Sequence, residues 1–104
     1  MPYYAMNTHR LSRFEPSKTK GKKYDAILTA YHVSPGTAPI ERRVPFGAMR
    51  KDGTPYPQYK DRIGLYSAYD HGNQDRRRRY IARHKKDEKA GMFSPGYFSL
   101  HFLW

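Results

Sequence analysis

The sequence predicts a small α+β fold: a β-hairpin, a basic helix and a short C-terminal helix, joined by long, irregular, aromatic-rich loops. Three observations predict it. From Tyr24 to Tyr31 the side chains alternate with the period of two that belongs to a strand, Tyr24, Ala26, Leu28 and Ala30 on one face and Asp25, Ile27, Thr29 and Tyr31 on the other. Asn73 is a suitable N-cap for a stretch with Asp75 in its first turn and Lys85, Lys86 and Lys89 in its last, the charge order that complements a helix dipole. Ser94-Pro95 joins an N-cap to a proline at the first helical position, where the missing N–H does no harm.

In chain order, residues 1–22 read as a basic extended arm. Arg10, Arg13, Lys18, Lys20 and Lys22 face one acid there, Glu15, and no period of 2 or 3.6 holds across the segment. Residues 23–104 form one domain. Its first strand, 23–31, is followed by the loop His32 to Pro39 with Pro35-Gly36 as turn signal. A second strand over 40–47 sends Ile40, Arg42, Val44 and Phe46 one way, and Pro45 confines it to an edge or a strand end. An isolated hairpin is marginal in water, so both strands need a further covering layer.

Residues 47–72 are broken by Gly47, Gly53, Pro55, Pro57, Gly64 and Gly72, with Tyr56, Tyr59, Leu65, Tyr66 and Tyr69 between them. That predicts irregular structure with aromatic anchors. The basic helix runs over 74–89, stopped by Gly91, with a thin apolar seam of Tyr80, Ile81 and Ala82. The terminal helix over 96–104 places Tyr97, Leu100, His101 and Trp104 on one face. Two turns are not stable alone, so it must dock on the basic helix or the hairpin.

Composition bounds the function. The chain has 104 residues, 20 Lys+Arg against 9 Asp+Glu, and a net charge of +11. Ile, Leu, Val and Phe number only 16, whereas ten tyrosines add ring area. These proportions disfavour a deeply cored enzyme and suit a basic protein that completes its core against something else. With no cysteine there is no disulfide framework, thiolate zinc site or cysteine nucleophile. The start lacks the apolar run of a secretory signal, and no stretch approaches the length of a membrane span.

The candidate chemistry is that of binding. Arg76, Arg77, Arg78, Arg79, Arg83, Lys85 and Lys86 crowd the basic helix, and phosphates or acidic protein surfaces would accept these donors. Tyr56 and Tyr59 interleave with Lys60 and Arg62, a pattern that serves interface anchoring and also base stacking. The histidines at 9, 32, 71, 84 and 101 lack metal-ligand spacing, and no nucleophile elbow or phosphate-binding glycine loop occurs. The expectation is a non-enzymatic protein without cofactor, metal or small-molecule substrate.

The order of short motifs adds a family resemblance. Lys22-Lys23-Tyr24-Asp25-Ala26, Val44-Pro45-Phe46-Gly47, Tyr56-x-x-Tyr59, Asp75-x-x-x-Arg79-Tyr80-x-x-Arg83-His84 and Gly96-x-x-Ser99-x-x-x-Leu103-Trp104 follow one another. This series resembles a family of short, basic, uncharacterised proteins of nucleocytoplasmic large DNA viruses, the giant viruses. It covers about residues 20–104, with residues 1–19 outside it. The insertion Ala48–Pro55 and the shortened segment Lys85–Phe93 depart from the family pattern. The resemblance implies a virion or infection-associated protein and brings no catalytic residues.

Together these readings predict a minor capsid protein, located in the virion and assembled inside the host cell, that bridges or braces capsomers. Its partners would be acidic surfaces of other viral capsid proteins, with Arg76 to Arg79, Arg83, Lys85 and Lys86 as charged contacts. Tyr56, Tyr59, Tyr66 and Trp104 would be buried anchors. The alternative is a basic DNA-binding protein for genome packaging or condensation.

Overall fold

The computed structural model describes residues 3–31 and 34–104. His32 and Val33, at the start of the loop read between the two hairpin strands, lie outside the described residues, as does Pro2. Five strands and two helices are present in this part: β1 (Tyr4–Ala5), β2 (His9–Pro16), β3 (Lys22–Ala30), β4 (Glu41–Ala48), α1 (Gln74–His84), β5 (Met92–Phe93) and α2 (Pro95–Phe102). An antiparallel sheet in the order β2-β3-β4 carries the fold, and β1 pairs with β5 in a separate ribbon. The architecture is α+β, with the hairpin and both helices in their expected places.

The hairpin follows from the alternation of β3. Tyr24 pairs with Phe46 and Ala26 with Val44, so the apolar sets of both strands share one face. Pro45 sits in the edge strand β4, where its missing N–H breaks no central ladder.

The basic arm is corrected. Residues 9–16 form β2, paired along β3 from His9 opposite Ala30 to Pro16 opposite Tyr24. Tyr4 and Ala5 pair with Phe93 and Met92, so the domain begins well before residue 23. The strand escapes a period-two search because the register slips between Leu11 and Arg13. This bulge at Ser12 resets the phase, so Leu11 and Phe14, three residues apart, both pack on the core. Arg13 and Glu15 then face outward.

The core closes within the chain. Tyr24, Ala26, Leu28, Val44, Phe46, Phe93, Phe98 and Leu103 form one buried cluster, joined by partly buried Leu11, Phe14, Ile63, Tyr66 and Phe102. Rings do the work that aliphatic residues do in other cores. Phe102 lies 4.7 Å from Phe14, and Phe98 lies 5.4 Å from Phe46 and 5.6 Å from Phe93.

This packing also corrects the docking face of α2. Phe98 is fully buried and Phe102 packs beside it, while His101 is exposed. Both faces of this helix carry rings, and the choice falls to Phe98 and Phe102 because β2 brings Phe14 against them. The basic helix ends at His84 instead of Lys89 and passes into a 3₁₀ turn at Lys85–Asp87. Asp87 and Glu88 would oppose the dipole of a longer helix.

The second face of the sheet is polar and still covered, so β3 is buried on both sides. Arg13 donates to Glu41 at 2.9 Å and to Glu15 at 2.8 Å; Arg43 donates to Glu15 at 2.7 Å and to Asp25 at 3.1 Å. Their guanidinium groups hold the Glu15 and Glu41 carboxyls below the usual carboxylate range. The Ser17 hydroxyl donates to Asp25 at 2.6 Å. Long arginine stems thereby roof Ile27, which is fully buried among charged residues.

Candidate cationic interface

The long segment after β4 is fastened by three buried polar side chains, and these position everything around the candidate site. Asp61 accepts from the Tyr24 hydroxyl at 2.6 Å and from the N–H groups of Ile63, Gly64 and Tyr66 at 2.9, 3.0 and 2.8 Å. Burial alone would raise this carboxyl, but the Tyr24 hydroxyl and the three N–H donors hold it below the usual range. Burial and the Asp61 contact push the Tyr24 phenol well above its ordinary value. Gln58, fully buried, donates to the Tyr66 carbonyl at 2.9 Å and to Asp70.

Lys23 is the third fastener. Only 2% exposed, its ammonium donates to the Tyr56 carbonyl and to Gln58 Oε1, each at 2.7 Å. Burial lowers its pKa to about 8 against the weaker opposing pull of Asp61 and Asp70.

The helix α1 starts where Asn73 Oδ1 accepts from the N–H groups of Asp75 and Arg76 at 3.0 and 3.1 Å. The run of four arginines then divides by helical angle. Arg77 turns inward, donating to the Trp104 main-chain oxygen at 2.7 Å and lying over the Tyr59 ring at 5.2 Å. Arg78 pairs with Asp75. Arg76, Arg79, Arg83, Lys85 and Lys86 are exposed, and among the described residues none of them has a carboxylate within ion-pair distance.

Of the aromatic residues, Tyr66 packs edge-on against Tyr24 at 5.4 Å, and Trp104 stacks on Tyr80 at 4.1 Å with the rings 4° from parallel. Tyr59 accepts from Gln74 at 2.8 Å. These three are engaged inside the chain. Tyr56 is 48% exposed, with the Arg50 guanidinium 5.0 Å from its ring centre. His71 belongs to the same neighbourhood: its Nδ1 accepts from the Asn73 N–H at 2.9 Å, so Nε2 carries the proton, buried without a hydrogen-bond partner among the described residues. Burial and nearby Arg76 hold its pKa below the ordinary value.

Sequence reasoning missed a second basic zone. The Met49 N–H donates to the Gly21 carbonyl at 3.0 Å, which brings the β2–β3 turn beside the loop after β4. Lys18, Lys20, Lys22, Arg50 and Lys51 gather at this end, all exposed. The hairpin itself held the signal, because antiparallel strands that pair Lys22 with Ala48 must bring the residues flanking them together.

Between this end and the helices lies a cavity of about 450 Å³, bordered by Lys22, Lys23, Arg76, Tyr80, Arg83 and His84. Gly47, Gly96, Ser99 and Trp104 complete its walls. Each of the five short motifs noted in the sequence thus contributes a residue to it. The cavity's one carboxylate, Asp87, is held by His84 at 3.0 Å.

The nine acids account for the rest. Asp25, Glu15 and Glu41 serve the roof of the sheet, and Asp61 and Asp70 fasten the loop. Asp52 closes its own turn on the Thr54 N–H, Asp75 holds Arg78, Asp87 holds His84, and Glu88 holds His101. Every carboxylate side chain has a partner within the chain, although Glu41, Asp52, Asp75 and Asp87 stay exposed, and the unpaired surplus of surface charge is cationic.

Among the described residues no helix is long and apolar enough to cross a membrane. Comparison with protein-family models, with curated proteins and with solved structures finds no match for this chain.

Proposed function

We propose that this chain is a non-enzymatic minor capsid protein of a large double-stranded DNA virus, bracing capsomers by binding acidic surfaces on them. The observation that carries this reading is that all nine carboxylates have partners within the chain, which leaves a surplus of unpaired surface cations. Arg79 on α1, Lys85 and Lys86 in the turn after it, and the cluster at the β2–β3 turn have no carboxylate within ion-pair distance among the described residues, so an external anionic surface is their natural complement. Tyr56, half exposed and backed by Arg50, supplies an aromatic contact at the same end. The resemblance of the motif series to giant-virus proteins favours the virion setting in this reading.

Virions purified from cells expressing the chain, split gently into shell and DNA-containing core, test the reading by quantitative mass spectrometry. Recovery with the shell in fixed ratio to the major capsomer is expected, and R79Q/K85Q/K86Q should lower it. Normal incorporation of that variant would remove these residues from the interface, and absence from the shell would defeat the reading.

A second reading has its own support. Lys22 borders the central cavity and also belongs to the cluster at the turn end, so the two cationic zones meet, as an extended phosphodiester backbone would require. A genome-condensing protein would be recovered with the DNA, and its binding would weaken steeply with salt.

A further inference from the structure

The central cavity has features that an outward-facing basic patch does not need. Lys23 is the most telling. An ammonium has three N–H donors; Lys23 uses two, on Tyr56 and Gln58, and among the described residues no carboxylate lies within ion-pair distance of it. A buried cation without a directly paired anion is a costly arrangement, and Lys23 borders this cavity. Three more basic side chains, Lys22, Arg76 and Arg83, border the same space.

Two glycines keep the cavity and its wall in shape. Gly47 has φ +81°, and a Cβ there would lie 3.1 Å from Lys23 Cβ and Cδ and from Leu103 Cδ1. A Cβ on Gly96 would lie 2.9 Å from the Asp87 carbonyl oxygen, so glycine lets the first turn of α2 close against the turn after α1.

The geometry points to a binding site for a di- or triphosphate group, held by Lys22, Lys23, Arg76 and Arg83. Four cations exceed what one carboxylate needs and match the several charges of a polyphosphate, for which the two guanidinium forks and two ammonium groups are suitable donors. The volume of about 450 Å³ admits a ligand of nucleotide size. Tyr80 and Trp104 border the cavity with their faces stacked on each other, so the phosphates and not a base dominate recognition. The group can come from free polyphosphate or from a nucleotide. This site is independent of the capsid reading, since it uses residues that border the cavity and not Arg79, Lys85 and Lys86.

Isothermal titration of the full chain in 150 mM salt with inorganic tripolyphosphate, ATP and GTP tests it. One ligand per chain is expected, with ATP and GTP alike. R76Q/R83Q removes two exposed side chains and should weaken binding at least tenfold. R79Q/K86Q removes equal charge from α1 and the turn after it, outside the cavity, and should change affinity less than twofold. Tripolyphosphate as tight as the nucleotides identifies free polyphosphate as a sufficient ligand; nucleotides ten times tighter identify the nucleotide, and both support the site. Absence of saturable binding, several ligands per chain, or equal losses in the two variants would overturn it. Because R79Q/K85Q/K86Q tests the capsid interface and R76Q/R83Q the cavity, each idea fails by its own result.

Discussion

Removing the Asp61 carboxylate should come close to unfolding the protein, although the residue lies in an irregular segment. It accepts four hydrogen bonds, one from the fully buried Tyr24 phenol of the central strand and three from the N–H groups of the turn it closes. The phenol contact is short, buried and charge-assisted, which places it at about 1.5–3 kcal/mol. The three turn amides adjoin exposed Gly64 and Leu65 and regain water when released, leaving roughly 0.5 kcal/mol each. Asp61→Ala should therefore cost about 3–4 kcal/mol, a large share of the roughly 5–15 kcal/mol available to a domain of this size. Urea unfolding followed by near-UV circular dichroism would show the midpoint falling by roughly 1.5–2 M. Asp61→Asn keeps the shape but sets an NH₂ against donors, so a loss of about 2 kcal/mol is expected. A cycle of Tyr24→Phe with Asp61→Asn should show coupling of about 1 kcal/mol or more. A cost below about 1 kcal/mol for Asp61→Ala, with the tertiary spectrum unchanged, would refute the claim that this carboxylate holds the loop to the sheet.

Two further outcomes follow from the same region. Lys23 has a folded-state pKa of about 8 against about 10.4 in an unfolded chain, so the unfolded state binds more protons between these values and stability should rise with pH from 8 to about 10. Lys23→Met should abolish that rise, and its persistence in the variant would assign it elsewhere. Gly47→Ala should lose more than about 1 kcal/mol, since the positive φ and the contacts with Lys23 and Leu103 act together; a neutral change by thermal unfolding would count against both.

The parts of the fold legible in the sequence are those specified locally. Asn73 and Ser94-Pro95 mark helix starts because capping needs only the next few residues, and both caps make their expected hydrogen bonds. The strand at Tyr24 shows because its alternation is unbroken. The strand at His9–Pro16 does not, because one bulged residue at Ser12 destroys the period that a pattern search relies on. The face of the terminal helix depends on Phe14, more than eighty positions away, and could not be chosen until that strand was known. The candidate interface divides in the same way. The arginine run at 76–79 is conspicuous in sequence, yet successive helical residues point apart, so Arg77 and Arg78 serve the fold while Arg76 and Arg79 do not.

The charge of +11 acquires its meaning only after the acids have been located. A basic protein can scatter carboxylates among its surface cations and so moderate its own field. Here the acids fall where folding requires anions: on the guanidinium roof over Ile27, under the loop at Tyr24, in the first turn of α1, and beside His84 and His101. The same pairings that hold the sheet roof and the loop therefore leave the remaining surface cations without counter-charge. Stability and anion affinity are coupled through this division of labour. Moving an acid from beneath the loop to the helix surface, by placing Asp61→Ala and Arg79→Glu together, should lower both the unfolding midpoint and recovery with the capsid shell, whereas Arg79→Glu alone should lower only that recovery.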